Sequence, residues 1–187
     1  MRLIVADTSP LVYLVLIDHI EILPRLFDTV LLPDAVDAEL RNPLAPAPVQ
    51  VWASPLSSGI EVKHVPNAPD DAALRPLGEG ERAAIVLAFS IHADLVLIDE
   101  RKGTRAAIDK GLVVTGTLGI LRRAARRGLL NLAEAFDRLK QTNFRYQQEI
   151  MDKLLDQGSR HLDPALLTAN FFYSPIDVHS RYTRLNA

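Results

Sequence analysis

Apolar and polar positions fall along this chain in blocks of two lengths. Short runs rich in Val, Ile and Leu, "LIVA" (3–6), "TVLLP" (29–33), "DLVLID" (94–99) and "LVVTG" (112–116), read as strands. They do not alternate, so they predict strands buried on both faces. "IEVKHV" (60–65) does alternate and predicts a strand with one solvated face. Longer stretches carry helical spacing. "PLVYLVLIDHIEILPRLF" (10–27) predicts one helix that bends or ends at Pro24. "DAVDAEL" (34–40) predicts a helix with Asp34 as N-cap, and "VQVWAS" (49–54) a short one. "EGERAAIVLAFSIHA" (79–93) predicts a strong helix, and "ERKGTRAAIDKG" (100–111) a turn and short helix ending at Gly111. Amphipathic helices follow in "TLGILRRAARRGLL" (117–130), "LAEAFDRLKQTN" (132–143) and "YQQEIMDKLLDQG" (146–158). Strands that alternate with helices predict an α/β domain, a parallel sheet with helices on both faces. Residues 1–158 are expected to form that domain. Residues 159–187, with "NFFYSP" and no clear period, are expected to form a C-terminal helical or irregular appendage.

Composition narrows the chemistry. The 187 residues suffice for one domain with a sizeable core, and the formal charge of −2 demands no nucleic-acid partner by itself. The absence of cysteine excludes disulfides, thiolate catalysis and cysteine-ligated zinc. The five histidines show no zinc-ligand spacing. No signal-peptide pattern and no membrane-length apolar run are present, so a cytoplasmic protein is expected, with no membrane partner.

Two strands end on a carboxylate, Asp7 in "LIVADTSPL" and Asp99 in "DLVLIDE". Charge is costly to desolvate there. Ligands of parallel α/β sheets bind outside the carboxyl ends of strands, so two such acids on neighbouring strands would call for a cation or a shared proton. Hard oxygen ligands without Cys point to Mg²⁺ or Mn²⁺. Helix N-capping is the competing role for each. Glu39 has Asp34 and Asp37 as rivals, and Glu79 and Glu81 also suit a helix N-terminus.

Taken together, "VADTSPL", "LLPDAVDAEL", "GEGERAAIVLA", "ADLVLIDERKGTRAA" and "GLVVTGTLGILRRAARRGLL" resemble the PIN-domain ribonucleases, in order and spacing, over about residues 1–155. The nearer likeness is to their VapC-like toxin branch. The resemblance implies a PIN-like parallel sheet whose acids gather at one end and hold divalent metal, Mg²⁺ or Mn²⁺. Segment by segment these acids, catalytic and metal-ligating, fall on Asp7, Glu39, Glu81 and Asp99. Both Gly78-Glu79 and Gly80-Glu81 match the third segment. Glu81 is preferred for its distance to "AAIVLA", and Glu79 stays open. The resemblance also implies single-stranded or looped RNA as substrate, 5′-phosphate and 3′-hydroxyl products, a homodimer and a small antitoxin partner. One departure stands out: many toxins of this class end the fourth motif in "DxDF", and here it reads "DERKGTR".

Arg101, Lys102 and Arg105 follow Asp99 directly and are the candidates for RNA phosphate contact. Arg122, Arg123, Arg126 and Arg127 form an i, i+4 ladder suited to RNA, to an acidic partner or simply to solvent. Two rival functions remain open. An aspartate-nucleophile phosphatase would want an acid two residues after Asp7, where Ser9 stands. A non-catalytic PIN-like binding module would use the same acids for structure or a partner.

Phe171, Phe172 and Tyr173 in the tail are expected to pack on the domain or across a dimer. Deleting residues 160–187 should therefore lower the melting temperature or change the number of subunits in solution. No change in either would refute the packing.

Overall fold

The computed structural model describes residues 3–65, 71–146 and 148–157. The expected appendage, with its aromatic run, lies outside them. Five strands build one sheet in these residues: β1 (Leu3–Ala6), β2 (Thr29–Pro33), β3 (Ile60–Lys63), β4 (Leu95–Leu97) and β5 (Val114–Thr115). Their order is β3-β2-β1-β4-β5, and every pairing is parallel. Among the described residues nine helices accompany them: α1 (Thr8–Leu16), α2 (Ile22–Leu26), α3 (Asp34–Leu40), α4 (Ala47–Trp52), α5 (Glu79–Ser90), α6 (Arg101–Asp109), α7 (Thr117–Arg126), α8 (Leu132–Lys140) and α9 (Gln148–Gln157).

The buried strands show why their sequences run apolar without a break. Successive side chains point to opposite faces. Ile4, Val30, Leu32, Leu95 and Leu97 enter a large core with α1, α2, α4, α7, α8 and α9, whereas Val5, Leu31, Val96 and Ile98 enter a smaller one with α5 and α6. Both faces are dry, so both sets must be apolar. Edge strand β3 buries Ile60 and exposes its next three residues, as its alternation only partly foretold.

Helix ends account for the differences from expectation. The 10–27 stretch is two helices, and the break falls at Asp18 rather than Pro24. Asp18 adopts φ 59°, with its N–H on Val15 O (3.0 Å) and His19 N–H on Leu14 O (2.8 Å). That is the double hydrogen bond of a Schellman ending, made without glycine. Pro24 sits early in α2, where its missing N–H costs little. His92 (φ 51°) ends α5 the same way, so that helix stops at Ser90. Gly111 (φ 79°) and Gly128 (φ 68°) end α6 and α7 with the residue that suits the left-handed region. Asp34 is not the cap of α3: Pro33 holds that place, and Asp34 is the first helical residue.

The arginine ladder divides between two edges of α7. Arg123 lies over the Phe27 ring, 5.1 Å from its centroid, and Arg127 donates to Leu26 O at 3.4 Å. Those two pin the end of α2. Arg122 is buried and Arg126 exposed.

Phe136 of α8 is 1% exposed within the larger core. Phe136→Ala should lower unfolding free energy by about 3–5 kcal/mol, read from urea midpoints. A loss below about 1 kcal/mol would show that α8 is not integral to that core.

Candidate active site

Parallel strands deliver all their carboxyl ends, and the N-termini of the helices that follow, to one edge. Asp7 follows β1 there and is 2% exposed, and its N–H donates to Leu97 O at 2.9 Å. Its position is the N-cap of α1, yet its side chain makes no capping hydrogen bond. Capping, the competing role, therefore does not explain its burial. Asp99 follows β4, the neighbour of β1 (Ala6 pairs with Leu97). Asp99 does not cap α6, whose cap position is Glu100. Instead it reaches across to α7: Thr117 N–H donates to Oδ1 (2.7 Å) and Thr117 Oγ1 to Oδ2 (2.6 Å).

Glu39, near the end of α3, is held at both oxygens. Thr8 Oγ1, next in sequence to Asp7, donates to Oε2, and Gly80 N–H donates to Oε1 at 3.0 Å. Gly80 opens α5, immediately before Glu81. Glu81 Oε2 accepts Gly78 N–H at 3.0 Å, half of a capping box, since glycine has no side chain to return the bond. Its Oε1 lies toward α6, 3.5 Å from where a Cβ on Gly103 would stand. Glu79, the alternative, is exposed. The four acids thus share one rim through short links, Asp7–Thr8–Glu39–Gly80–Glu81 and Asp99–Thr117.

Glycine makes this closeness sterically feasible. An ideal Cβ at Gly80 would stand 2.8 Å and 2.9 Å from the Glu39 carboxylate oxygens. One at Gly116 would collide with Asp99 Oδ1. Neither glycine is needed for its φ; each is needed for the space its side chain would take. The N-termini of α1, α5 and α7 add favourable partial charge beside the carboxylates. Thr8, beside Asp7 in sequence, was open to a bond with that acid and bonds Glu39 instead; nothing in the pattern of apolar and polar positions singles out Gly80, Gly116 or Thr117 as carboxylate partners. The "TGT" run at 115–117 was the available signal for two of them.

All four candidate ligands offer hard oxygen, which fits Mg²⁺ or Mn²⁺. The glycine-lined cradles hold carboxylates where larger residues would displace them, which fits a built acidic site. Among the described residues, however, no three His, Cys, Asp or Glu side chains converge as a ready metal cage. Here the glutamates and Asp99 spend oxygens on donors of the chain. Ser9, two residues after Asp7, is buried and supplies no second acid for phosphatase chemistry.

The basic candidates open α6 beside Asp99. Arg101, Lys102 and Arg105 are all exposed, and Arg105 pairs with Asp109 at 3.0 Å.

A protein-family model described as a PIN domain (DUF3368) matches residues 3–160. In the comparisons with curated proteins and with solved structures, nothing matches. Among the described residues no helix is long and apolar enough to cross a membrane.

Thr117→Val keeps the shape at Asp99 and removes the hydroxyl donor. It should lower stability by about 1–3 kcal/mol at neutral pH, since a half-buried carboxylate loses one of its partners. Chemical denaturation of the variant beside the parent checks this, and equal midpoints would show that the hydroxyl does not support Asp99.

Proposed function

The chain belongs to the PIN-domain family, and from that membership we propose that it is a metal-dependent endoribonuclease, a hydrolase of RNA phosphodiester bonds. PIN domains are generally nucleases and typically use divalent metals such as Mg²⁺. The observation that carries the reading is the arrival of Asp7, Glu39, Glu81 and Asp99, from four separate segments, at the carboxyl edge of one parallel sheet.

Asp7 and Asp99, on adjacent strands, are the proposed inner holders of Mg²⁺ or Mn²⁺, with Glu39 and Glu81 completing the acidic set. Bound there, such an ion neutralises the scissile phosphate and makes an attacking water more acidic. The residues of the chain do the rest. Thr8 and Gly80 fix Glu39 in place before substrate arrives, so its charge needs little reorganisation. Gly78 and Thr117 do the same for Glu81 and Asp99. Arg101, Lys102 and Arg105 stand where the flanking phosphates of an RNA strand would run, as positioning contacts rather than readers of sequence. Arg105 would trade its Asp109 partner for phosphate.

The same hydrogen bonds favour a second reading, a PIN-like binding module without catalysis, because carboxylates tied to the chain are not converged on an ion. The two readings part on one substitution. Asp7→Asn keeps shape and removes a buried charge. On the nuclease reading it abolishes Mn²⁺-dependent cleavage of single-stranded RNA and most of the melting-temperature rise that Mn²⁺ gives the parent. It also stabilises the metal-free protein by something on the order of 1 kcal/mol, through lost repulsion and desolvation. Melting curves with Mn²⁺ and with EDTA, beside an RNA cleavage assay, check all three. Equal Mn²⁺ shifts in parent and variant, with no cleavage by either, would leave the binding module.

A toxin role, with a small antitoxin as partner and a homodimer as the working form, is the finer part of the proposal and rests on the VapC-like resemblance. Its test is the adjacent gene: a short open reading frame whose product co-purifies with this chain and suppresses the cleavage.

A further inference from the structure

A second polar pair is built into the same rim, away from the four acids. Pro33, the last residue of β2, pairs with Lys63, the last of β3. The next residue on each segment, Asp34 and His64, therefore meet across the end of the sheet. His64 Nδ1 lies 2.6 Å from Asp34 Oδ2. The other oxygen, Oδ1, accepts Ala35 N–H at 3.0 Å. The His64 contact is the main cause that holds the Asp34 carboxyl below the usual carboxylate range. The imidazole is thus gripped by a partner that is itself anchored.

This grip decides which nitrogen is available. A carboxylate only accepts, so the Nδ1 edge donates and Nε2 is left for a ligand. The His64 side chain is 82% exposed. A surface pair of this kind adds little to stability, so stability gives little reason to fix an imidazole here. Location gives a better one. Strands in a sheet lie about 4.8 Å apart, so the end of β3 stands roughly 10 Å along the rim from that of β1. That is too far to touch a phosphate held by Asp7, and within the reach of the next part of a bound strand. Lys63 beside it is half-exposed and paired with Glu61 at 3.3 Å, a partner it would exchange for phosphate.

Resting on the nuclease reading above, we propose that His64 is a substrate-binding residue: its Nε2 contacts the sugar–phosphate backbone of RNA next to the scissile bond. Asp34 is its positioning residue. The backbone offers two partners for that nitrogen, the 2′-hydroxyl, which can donate to a bare Nε2, and a phosphate oxygen, which only accepts and so requires a proton on Nε2; they can be told apart because only RNA carries the first.

The test uses the full chain with Asp7 kept and a single-stranded RNA with phosphorothioate linkages, so that substrate survives in the presence of metal, with and without His64→Ala. Fluorescence anisotropy of this RNA, labelled, in Mg²⁺ reads affinity. Loss of His64 should weaken binding about tenfold, with the melting temperature nearly unmoved. Asp34→Ala should cause part of that loss. On unmodified RNA, the effect of His64→Ala should fall on KM rather than kcat. A DNA strand of the same sequence separates the partners: an equal weakening on DNA assigns the phosphate, and a weakening confined to RNA assigns the 2′-hydroxyl. Equal RNA affinity with and without His64 overturns the proposal, as does a fall in kcat at constant KM. If the parent cuts no unmodified RNA, the nuclease reading fails by itself, and the anisotropy comparison still decides His64. Absence of any RNA binding overturns both.

Discussion

A carboxylate almost sealed from water at the end of a central strand is the constraint around which this molecule is arranged. Asp7 is 2% exposed, and its backbone is locked to β4 through Leu97 O. A charge so placed is tolerable only where something favourable surrounds it. The parallel sheet supplies that surrounding by its topology alone. Each strand ends at the edge where the next helix begins, so partial positive charge from α1, α5 and α7 collects where the acids collect. An antiparallel sheet of the same sequence blocks would scatter both.

That shared edge explains features that are otherwise unconnected. Close approach of Glu39 and Asp99 to backbone amides is open only where Gly80 and Gly116 stand, because a Cβ at either would overlap a carboxylate oxygen. Hydroxyls at Thr8 and Thr117, buried to 5% and 0% exposure, face carboxylates rather than the apolar core. A buried threonine hydroxyl costs free energy unless it is bonded, and here each bond also fixes an acid. The small residues and hydroxyls of the rim are therefore chosen by the acids, not by the core behind them.

Most of this architecture was legible in the hydrophobic pattern. Continuous runs such as "LIVA" and "DLVLID" announced strands dry on both faces, and the two cores on either side of β1 bear that out. What escaped was local. Asp18 and His92 close Schellman endings that the pattern associates with glycine, so α1 and α5 were read too long, while Gly111 announced its own ending. The arginine run 122–127 looked like one ladder, but a helix turns 100° per residue. Arg123 and Arg127 therefore serve Phe27 and Leu26 on one edge, while Arg122 sinks toward the core. The acids were found from their places at strand and helix ends and from family likeness. Their partners were not, because Thr117 meets Asp99 only after β5 brings α7 back beside β4, a juxtaposition of tertiary origin.

The order of the strands also sets the charge along the rim, which the total of −2 conceals. Acids occupy the middle, at the ends of β1 and β4 and on the helices above them. On one side, past β2, stand Lys63 and His64; on the other, α6 begins with Arg101 and Lys102. A polyanion laid along such an edge would meet Arg101 and Lys102 at one flank, the Lys63–Glu61 and His64–Asp34 pairs at the other, and the four acids between them. Without a cation the centre repels it, and with one the centre becomes its most attractive point. Dependence on a divalent ion would then arise in binding as well as in hydrolysis. The same layout makes Glu39, Glu81 and Asp99 double-valued. They satisfy Gly80, Gly78 and Thr117, and an ion bound as proposed would have to compete with those donors for their oxygens. The rim is thus more self-contained than four bare carboxylates would be, which reconciles four acids at one edge with a stable fold.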